Sequence, residues 1–321
     1  MSTFFNIVLA SSATTITGGA STPIETHSIT TVLTVSQISI ATLYWLKPHK
    51  SSDFTEFTTT KPYFWIWSTN HDNGDGGIYW GEADDLLGTN FVERGLILSG
   101  FQIETPQLIR IPTAISGISD ELFIYAHTTL TEPGSNSKQQ TRLYTTSGGN
   151  APHLSTYTDR GRPLGIFADD AHTGYLKPFK RAGGGYIGNH LTVGGGSPKF
   201  YTSISTNGLT WTRLNQLILT ANLPSGSSLF DPHQIEPFVY NGIRYGFAIV
   251  KNSSGIKELA LLNLDVNNQV TGLDRIVENT LDYKTIMLRI EGTIAYIYVQ
   301  GGDNTLTSEP TKLFRWDLRN I

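Results

Sequence analysis

Helical periodicity is almost missing from this chain, and that constrains its fold more than any other feature. Apolar residues come in short runs rich in Ile, Val, Tyr, Phe and Trp, divided by clusters of Gly, Asn, Ser, Asp and Pro, the pattern of an all-β chain. The clearest expected strands are KPYFWIWSTN (61–70), GGIYWGEAD (76–84), DELFIYAHTT (120–129), TRLYTTSG (141–148), KFYTSIS (199–205), RYGFAIVKN (244–252), ELALLNLD (258–265), TIAYIYVQG (293–301) and KLFRWDLRN (312–320). Turn clusters such as HDNGDGG (71–77) and Asn241–Gly242 fall between them, as hairpins require.

These strands repeat as a unit: an apolar strand with a polar head, a turn, an aromatic-rich strand, another turn, then a strand ending in Ser, Thr or Asp. Copies begin near Gln102, His172, His233 and Asp282, and a more diverged copy runs from about Thr31 to Asp85. Five units at spacings of roughly 45 to 70 residues suit four-stranded propeller blades with loop insertions. The expected fold is a five-bladed β-propeller over residues 28–321, preceded by an N-terminal leader or docking segment over 1–27. A β-sandwich or jelly roll is the alternative, because many short strands describe those folds as well.

Composition removes several function classes. A net charge of −4 offers no basic field for a nucleic acid backbone or an anionic membrane, so neither is an expected partner. The chain has no cysteine, which excludes disulfides, thiolate metal sites and cysteine nucleophiles together. The run FFNIVLA near the N-terminus lacks the positive flank of a signal peptide, and no later stretch reaches transmembrane length. No cofactor is called for; a structural calcium in a central channel is the metal left open.

Two turns carry a resemblance to a known group. Ser205-Thr-Asn-Gly-Leu-Thr-Trp211 resembles the S-x-D/N-G-x-x-W turn of propellers that act on sugars, and EADDLLGTNFVERGLIL (82–98) is similar to the segment linking their first and second blades. ETPQLIRI, from Glu104, resembles the E-C-P or A-P-D strand of the same enzymes. The chain thus resembles the five-bladed propellers of glycoside hydrolase families 43, 32 and 117 over most of residues 60–320. That resemblance implies an active site in an axial funnel, where the innermost strand of each blade starts, and a general-acid role for Glu104. The chain departs from the pattern in lacking N-D-P-N-G and R-D-P motifs and a clear Asp at the head of the first blade.

The residues themselves point to the same place. FQIETPQLIRI (101–111) and Gln234-Ile-Glu-Pro237 both set a glutamate and a proline at the head of an apolar strand, where burying a carboxylate is costly. Glu104, His172, Glu236 and Asp282 fall at equivalent places in four units, so their side chains are expected to project into the solvent of the funnel. Each proline sits where no ladder donor is needed. Rim salt bridges to Arg110 or Arg244 are the structural alternative for the two glutamates. A glycosidase needs two carboxyl groups across the scissile bond, and Glu104 and Glu236 could supply them.

AHTGYLKPFKR adds His172, Tyr175, Lys177 and Arg181 within one presumed inner strand. Alternation places Tyr175 and Lys177 on one face and His172 on the other, unless a bulge at Gly174 re-aims it. A polysaccharide lyase could use His172 or Tyr175 as base and Lys177 to neutralise a uronate; plain solvation of the strand end is the structural alternative. His233 is a further binding candidate, and Trp80, beside the HDNGDGG loop, is the aromatic expected to touch a sugar. The expected partner is carbohydrate, bound by a hydrolase, a lyase, or a non-catalytic binding or structural propeller on a viral fibre or surface assembly. Its location would be extracellular or virion-associated, with homo-oligomer or virion assembly as a further expectation.

Overall fold

The computed structural model describes residues 7–11, 25–31, 44–54, 58–69, 75–101, 103–129, 139–147, 157–165, 172–181, 183–194, 197–218, 222–278, 283–301 and 311–321. Among them the chain forms 22 strands and only short helical turns. β1 (Ile7–Ser11) and β2 (Glu25–Thr31) come first. Blade one is β3 (Tyr44–Lys50), β4 (Tyr63–Thr69), β5 (Asp75–Ala83) and β6 (Val92–Phe101), paired antiparallel in that order. Blade two is β7 (Glu104–Arg110), β8 (Leu122–Thr129) and β9 (Gln139–Thr146), with the two-residue β10 (Thr158–Asp159) on its edge. Blade three is β11 (His172–Lys180), β12 (Tyr186–Gly194), β13 (Ser197–Ser205) and β14 (Thr212–Leu217).

Blade four carries the short β15 (Ser228–Leu229) beside β16 (Glu236–Tyr240), β17 (Ile243–Lys251), β18 (Lys257–Leu264) and β19 (Val270–Glu278). Blade five is β20 (Tyr283–Glu291), β21 (Ile294–Gly301) and β22 (Thr311–Asp317), and β2 pairs antiparallel with β22 as its fourth strand. The N-terminal stretch therefore adds to the last blade, and the expected domain boundary at residue 27 falls inside β2.

The first strands touch in a closed ring. β3 packs on β7, β7 on β11, β11 on the turn before β16, β16 on β20, and β20 on β3. This is a five-bladed β-propeller, in which radiating sheets bring residues distant in the chain to one axis. Blades two and three are further joined by a short parallel pairing of β9 with β11, His172 opposite Gln139 and Thr173 opposite Gln140.

Apolar alternation fills the gaps between blades. Phe64, Ile78, Trp80, Leu108 and Ile124 form the core between blades one and two, and Phe247, Leu261, Ile286, Ile297 and Phe314 that between blades four and five. The Ser205–Trp211 turn closes the gap between blades two and three. Its Ser205 and Asn207 side chains bind the turn's own backbone, while the Gly208 carbonyl accepts from Tyr125 Oη at 2.6 Å and Trp211 Nε1 at 3.1 Å. Gly208 adopts φ +76°, and a Cβ there would lie 2.1 Å from Ile111 Cδ1, so glycine is required on both counts. The β5–β6 turn acts likewise across the ring's other seam: Asp85 caps it at Leu87 and Thr89, and the Leu86 carbonyl accepts from Tyr298 of blade five.

Four of the five inner strands break register near their heads: between Tyr44 and Lys47, Glu104 and Gln107, Gly174 and Lys177, and Tyr283 and Thr285. A bulge of this kind re-aims side chains and frees a backbone group that must find another partner. In β7 the Thr105 N–H is taken by Ser68 Oγ of blade one at 3.0 Å. In β11 the Leu176 N–H is taken by Thr141 Oγ1 of blade two at 3.2 Å. These two distorted heads are thereby fastened to the blades before them.

Candidate active site at the heads of the inner strands

Glu104 opens β7, and its register partner on β8 is His127. The residue after it, Thr105, has φ +50°, a left-handed conformation that costs a β-branched residue of order 1–3 kcal/mol and persists only where the surroundings enforce it. Tyr175, inside the β11 bulge, has φ +59°. Strained backbone positions thus lie on two neighbouring inner strands, and those strands share a contact: the Tyr175 hydroxyl donates to Glu104 Oε1 at 3.1 Å.

Imidazoles enclose that contact. The His127 ring stacks on Tyr175 with centroids 4.0 Å apart and on His172 at 4.7 Å, and its Nε2 lies 3.9 Å from Glu104 Oε1 and 3.3 Å from Gln139 Oε1. His172 and Tyr175 are themselves 5.4 Å apart. The stack depends on Gly174, since a Cβ at that position would sit 2.2 Å from His127 Nδ1 and 3.0 Å from His172 Nε2. Glu104 and His127 are buried, at 2% and 1% exposure, while His172 and Tyr175 are part-exposed and form the accessible side of the cluster.

Deeper along the axis the inner strands exchange a second set of contacts. Lys177 Nζ lies 2.7 Å from Glu236 Oε1 and donates to the carbonyls of Gln234 at 3.2 Å and Ile286 at 2.8 Å, so β11, β16 and β20 meet at one ammonium. Burial pulls the Lys177 pKa down to about 8, with Glu236 opposing the shift. Lys47 of β3 donates to Gln107 Oε1 of β7 at 3.1 Å, bringing the remaining two inner strands to the same axis.

The arrangement corrects several expectations. Glu104 and Glu236 do lie at inner-strand heads, yet both are 2% exposed and engaged by neighbouring blades instead of projecting into solvent. Both are met from β11 of the adjoining blade three, by Tyr175 and Lys177, while Arg110 pairs with Glu121 at 2.7 Å and Arg244 donates to Asn268. Lys177 is fully buried against Glu236, so the uronate-neutralising role in a lyase scheme has no cation from this residue. The bulge at Gly174 does what plain alternation could not, turning Tyr175 beside His172 and leaving Lys177 to face blade four.

Arg181 follows the far end of β11, with its side chain on Asn267, about a strand's length from His172. Trp80 is 1% exposed and packs in the core between blades one and two, because its place in β5 faces that gap; it offers no ring to a sugar. His233 lies in the turn Pro232–Gln234 that precedes β16, next to Asp231 at φ +48°. Asp282 and residues 71–74 of the HDNGDGG turn lie outside the described residues. Among the described residues no three His, Asp or Glu side chains converge as a metal site.

No family model matches the chain, and no curated protein matches its sequence. Solved structures do match its fold. A thermostable family-43 glycoside hydrolase aligns with a TM-score of 0.60 at 9% identity, over 88% of this chain and 91% of that one. A family 117 glycoside hydrolase of the marine bacterium Zobellia galactanivorans aligns at 0.57 and 10% identity, over 98% and 91%. An α-L-arabinofuranosidase from Lactobacillus brevis aligns at 0.56 and 12% identity, over 87% and 92%. At such identities the likeness is one of fold.

Proposed function

We propose that this chain is a carbohydrate-active protein that cleaves glycosidic bonds at the head end of its axis, with Glu104 giving the proton to the departing oxygen. The observation that carries this reading is the Tyr175–Glu104 hydrogen bond, held by two strained strand heads and walled by His127 and His172. A carboxyl fixed by a phenol and flanked by imidazoles is oriented for proton transfer, and its part-exposed neighbours, His172 and Tyr175, supply a surface for a pyranose or furanose ring. Glycoside cleavage needs a second, ionised carboxylate to attack or to activate water. Glu236, paired with the Lys177 ammonium, takes that role. Fold likeness to glycoside hydrolases supports the choice of substrate class, and fold by itself does not choose the chemistry.

A specific observation favours a second reading, a glycan-binding propeller without turnover: both glutamates are 2% exposed, whereas the accessible side chains are an imidazole and a phenol. One experiment separates the two. The full chain is incubated with 4-nitrophenyl α-L-arabinofuranoside, arabinan, xylan and agarose, and released nitrophenol and reducing ends are measured beside binding by affinity electrophoresis. Release of product supports the hydrolase. Retardation without product supports the binder, and neither on any of these glycans contradicts both.

A further inference from the structure

The opposite end of the axis holds a cavity of about 570 Å³, bounded by the last residues of four inner strands: Lys47 to His49 of β3, Leu108 to Arg110 of β7, Pro178 to Lys180 of β11, and Leu288 and Arg289 of β20. It lies toward the strand ends opposite Glu104 and His172, which begin their strands, and none of Glu104, His127, His172, Tyr175, Lys177 and Glu236 lines it.

Its lining is unbalanced in charge. Lys47, Arg110, Lys180 and Arg289 contribute four cations against the one carboxylate of Asp53. The two arginines are partly neutralised, Arg289 by Asp53 at 2.9 Å and by Glu291 at 2.6 Å, and Arg110 by Glu121 at 2.7 Å. Among the described residues the lysines form no such ion pair: Lys47 donates to the neutral Gln107 amide, and Lys180 is exposed.

A second observation points to a ligand. His49 also lines the cavity at 4% exposure, its ring held between Phe64 and Phe54 at centroid distances of 5.1 Å to each, and its Nε2 has no hydrogen-bond partner among the described residues. A buried ring nitrogen left in this way is costly unless something in the cavity meets it. Burial, reinforced by Lys47 and Arg289, holds the His49 pKa well below its ordinary value, so at neutral pH the ring is uncharged and offers one donor or acceptor. The remaining wall is apolar and ring-shaped in its demands: Phe54, Leu108, Phe179 and Leu288 surround the space.

We propose that this cavity is a second ligand site, for a small organic anion: one carboxylate or sulfate group held by Lys47 and Lys180, on a ring-sized body packed against Phe54 and Phe179 and hydrogen-bonded to His49 Nε2. A cleft of this volume, with charged and polar groups converging beside an apolar wall, has the ordinary dimensions of a small-molecule site. Two cations on low-dielectric walls favour the anion, and the aromatic walls favour the ring that carries it.

The test uses the full chain with three probes: benzoate, which has both parts, benzyl alcohol, which has the ring alone, and inorganic sulfate, which has the charge alone. Binding is followed by calorimetry and by the imidazole nitrogen resonances of His49. Benzoate is expected to saturate, to move the His49 signals, and to bind more tightly than either partial probe. The exposed substitution Lys180→Gln is expected to weaken benzoate by about fivefold while leaving benzyl alcohol unchanged. Equal binding of benzoate and benzyl alcohol, an unchanged benzoate affinity in Lys180→Gln, or still His49 resonances at saturating benzoate would each overturn the proposal, as would no benzoate binding at all. Glycan turnover is not part of the readout, so this site and the hydrolase reading stand or fall separately.

Discussion

Lys177 Nζ and Glu236 Oε1 lie 2.7 Å apart with neither side chain more than 3% exposed, and the pair joins the inner strands of blades three and four. Two charges taken from water repay that cost only with close geometry and further hydrogen bonds, which the Gln234 and Ile286 carbonyls supply. Removing one partner strands the other. Glu236→Gln is expected to destabilise the fold by about 3–5 kcal/mol, and the double variant Lys177→Met/Glu236→Gln by much less. Urea unfolding of the three proteins checks this; equal losses in the single and double variants would show that the charge pair is not what the position requires.

The same lysine gives a pH signature on the alkaline side. Its folded pKa, about 8, lies below the ordinary lysine value, so between pH 8 and roughly 10 the unfolded chain holds a proton that the folded chain has released. Folded stability from this group therefore rises with pH across that window. Above it the buried tyrosines act in the opposite sense, since Tyr144 is pushed up to about 12 by burial and the unfolded phenols ionise first. Thermal melts of wild type and Lys177→Met from pH 7.5 to 10 should draw apart as pH rises, wild type gaining stability that the variant lacks, and parallel curves would refute the assignment.

On the acid side the expected sensor is His190, fully buried on β12 beside Ser203, with its pKa drawn down to about 3 by burial and by Arg213. Below pH 6.5 the unfolded imidazole gains a proton that the folded one refuses, so stability present at neutral pH is lost progressively as pH falls toward 3. His190→Gln should flatten the pH dependence of the urea midpoint between pH 6.5 and 4.5. An unchanged slope would assign the acid transition to other groups.

Gly174→Ala tests the imidazole stack. The new methyl would need to occupy space 2.2 Å from His127 Nδ1, so either the ring moves or β11 does. Overpacking of this kind costs about 1–3 kcal/mol. The expected result is a folded protein in which His127 and His172 resonances shift and ring stacking is lost, with Trp211 fluorescence unchanged. Wild-type histidine shifts in the variant would mean that the stack does not depend on this glycine.

Much of the fold was legible because blade strands advertise themselves. GGIYWGEAD at 76–84 became β5, Asp75–Ala83, and RYGFAIVKN at 244–252 became β17, Ile243–Lys251, since buried alternation bounded by turn residues leaves little choice of structure. The repeat starts near His172 and Asp282 likewise mark β11 and β20. β2, ETHSITT, was not recognised as a blade strand: a polar edge strand carries almost no apolar signal, and its pairing with β22 spans nearly the whole chain.

The site was half legible. The strand-head placement of Glu104 and Glu236 was legible, but the nearness of His127 to Glu104 was not, because His127 lies at the far end of the second strand of its blade. In an antiparallel hairpin that end returns beside the head of the first, and the Glu104–His127 register was the available signal. Trp80 was misplaced because the turn beside it suggested exposure, whereas alternation in β5 puts Trp80 and Tyr79 on opposite faces; Tyr79 stacks on Trp67 instead.

The most direct measurement compares wild type with Glu104→Gln on whichever glycan of the panel is cleaved, following reducing ends per enzyme under identical conditions with folding verified by the urea midpoint. The account predicts that the variant binds that glycan and melts like wild type while its turnover falls by about a hundredfold or more. Turnover equal to wild type would remove Glu104 from the chemistry, and with it the claim that the heads of the inner strands form the active site.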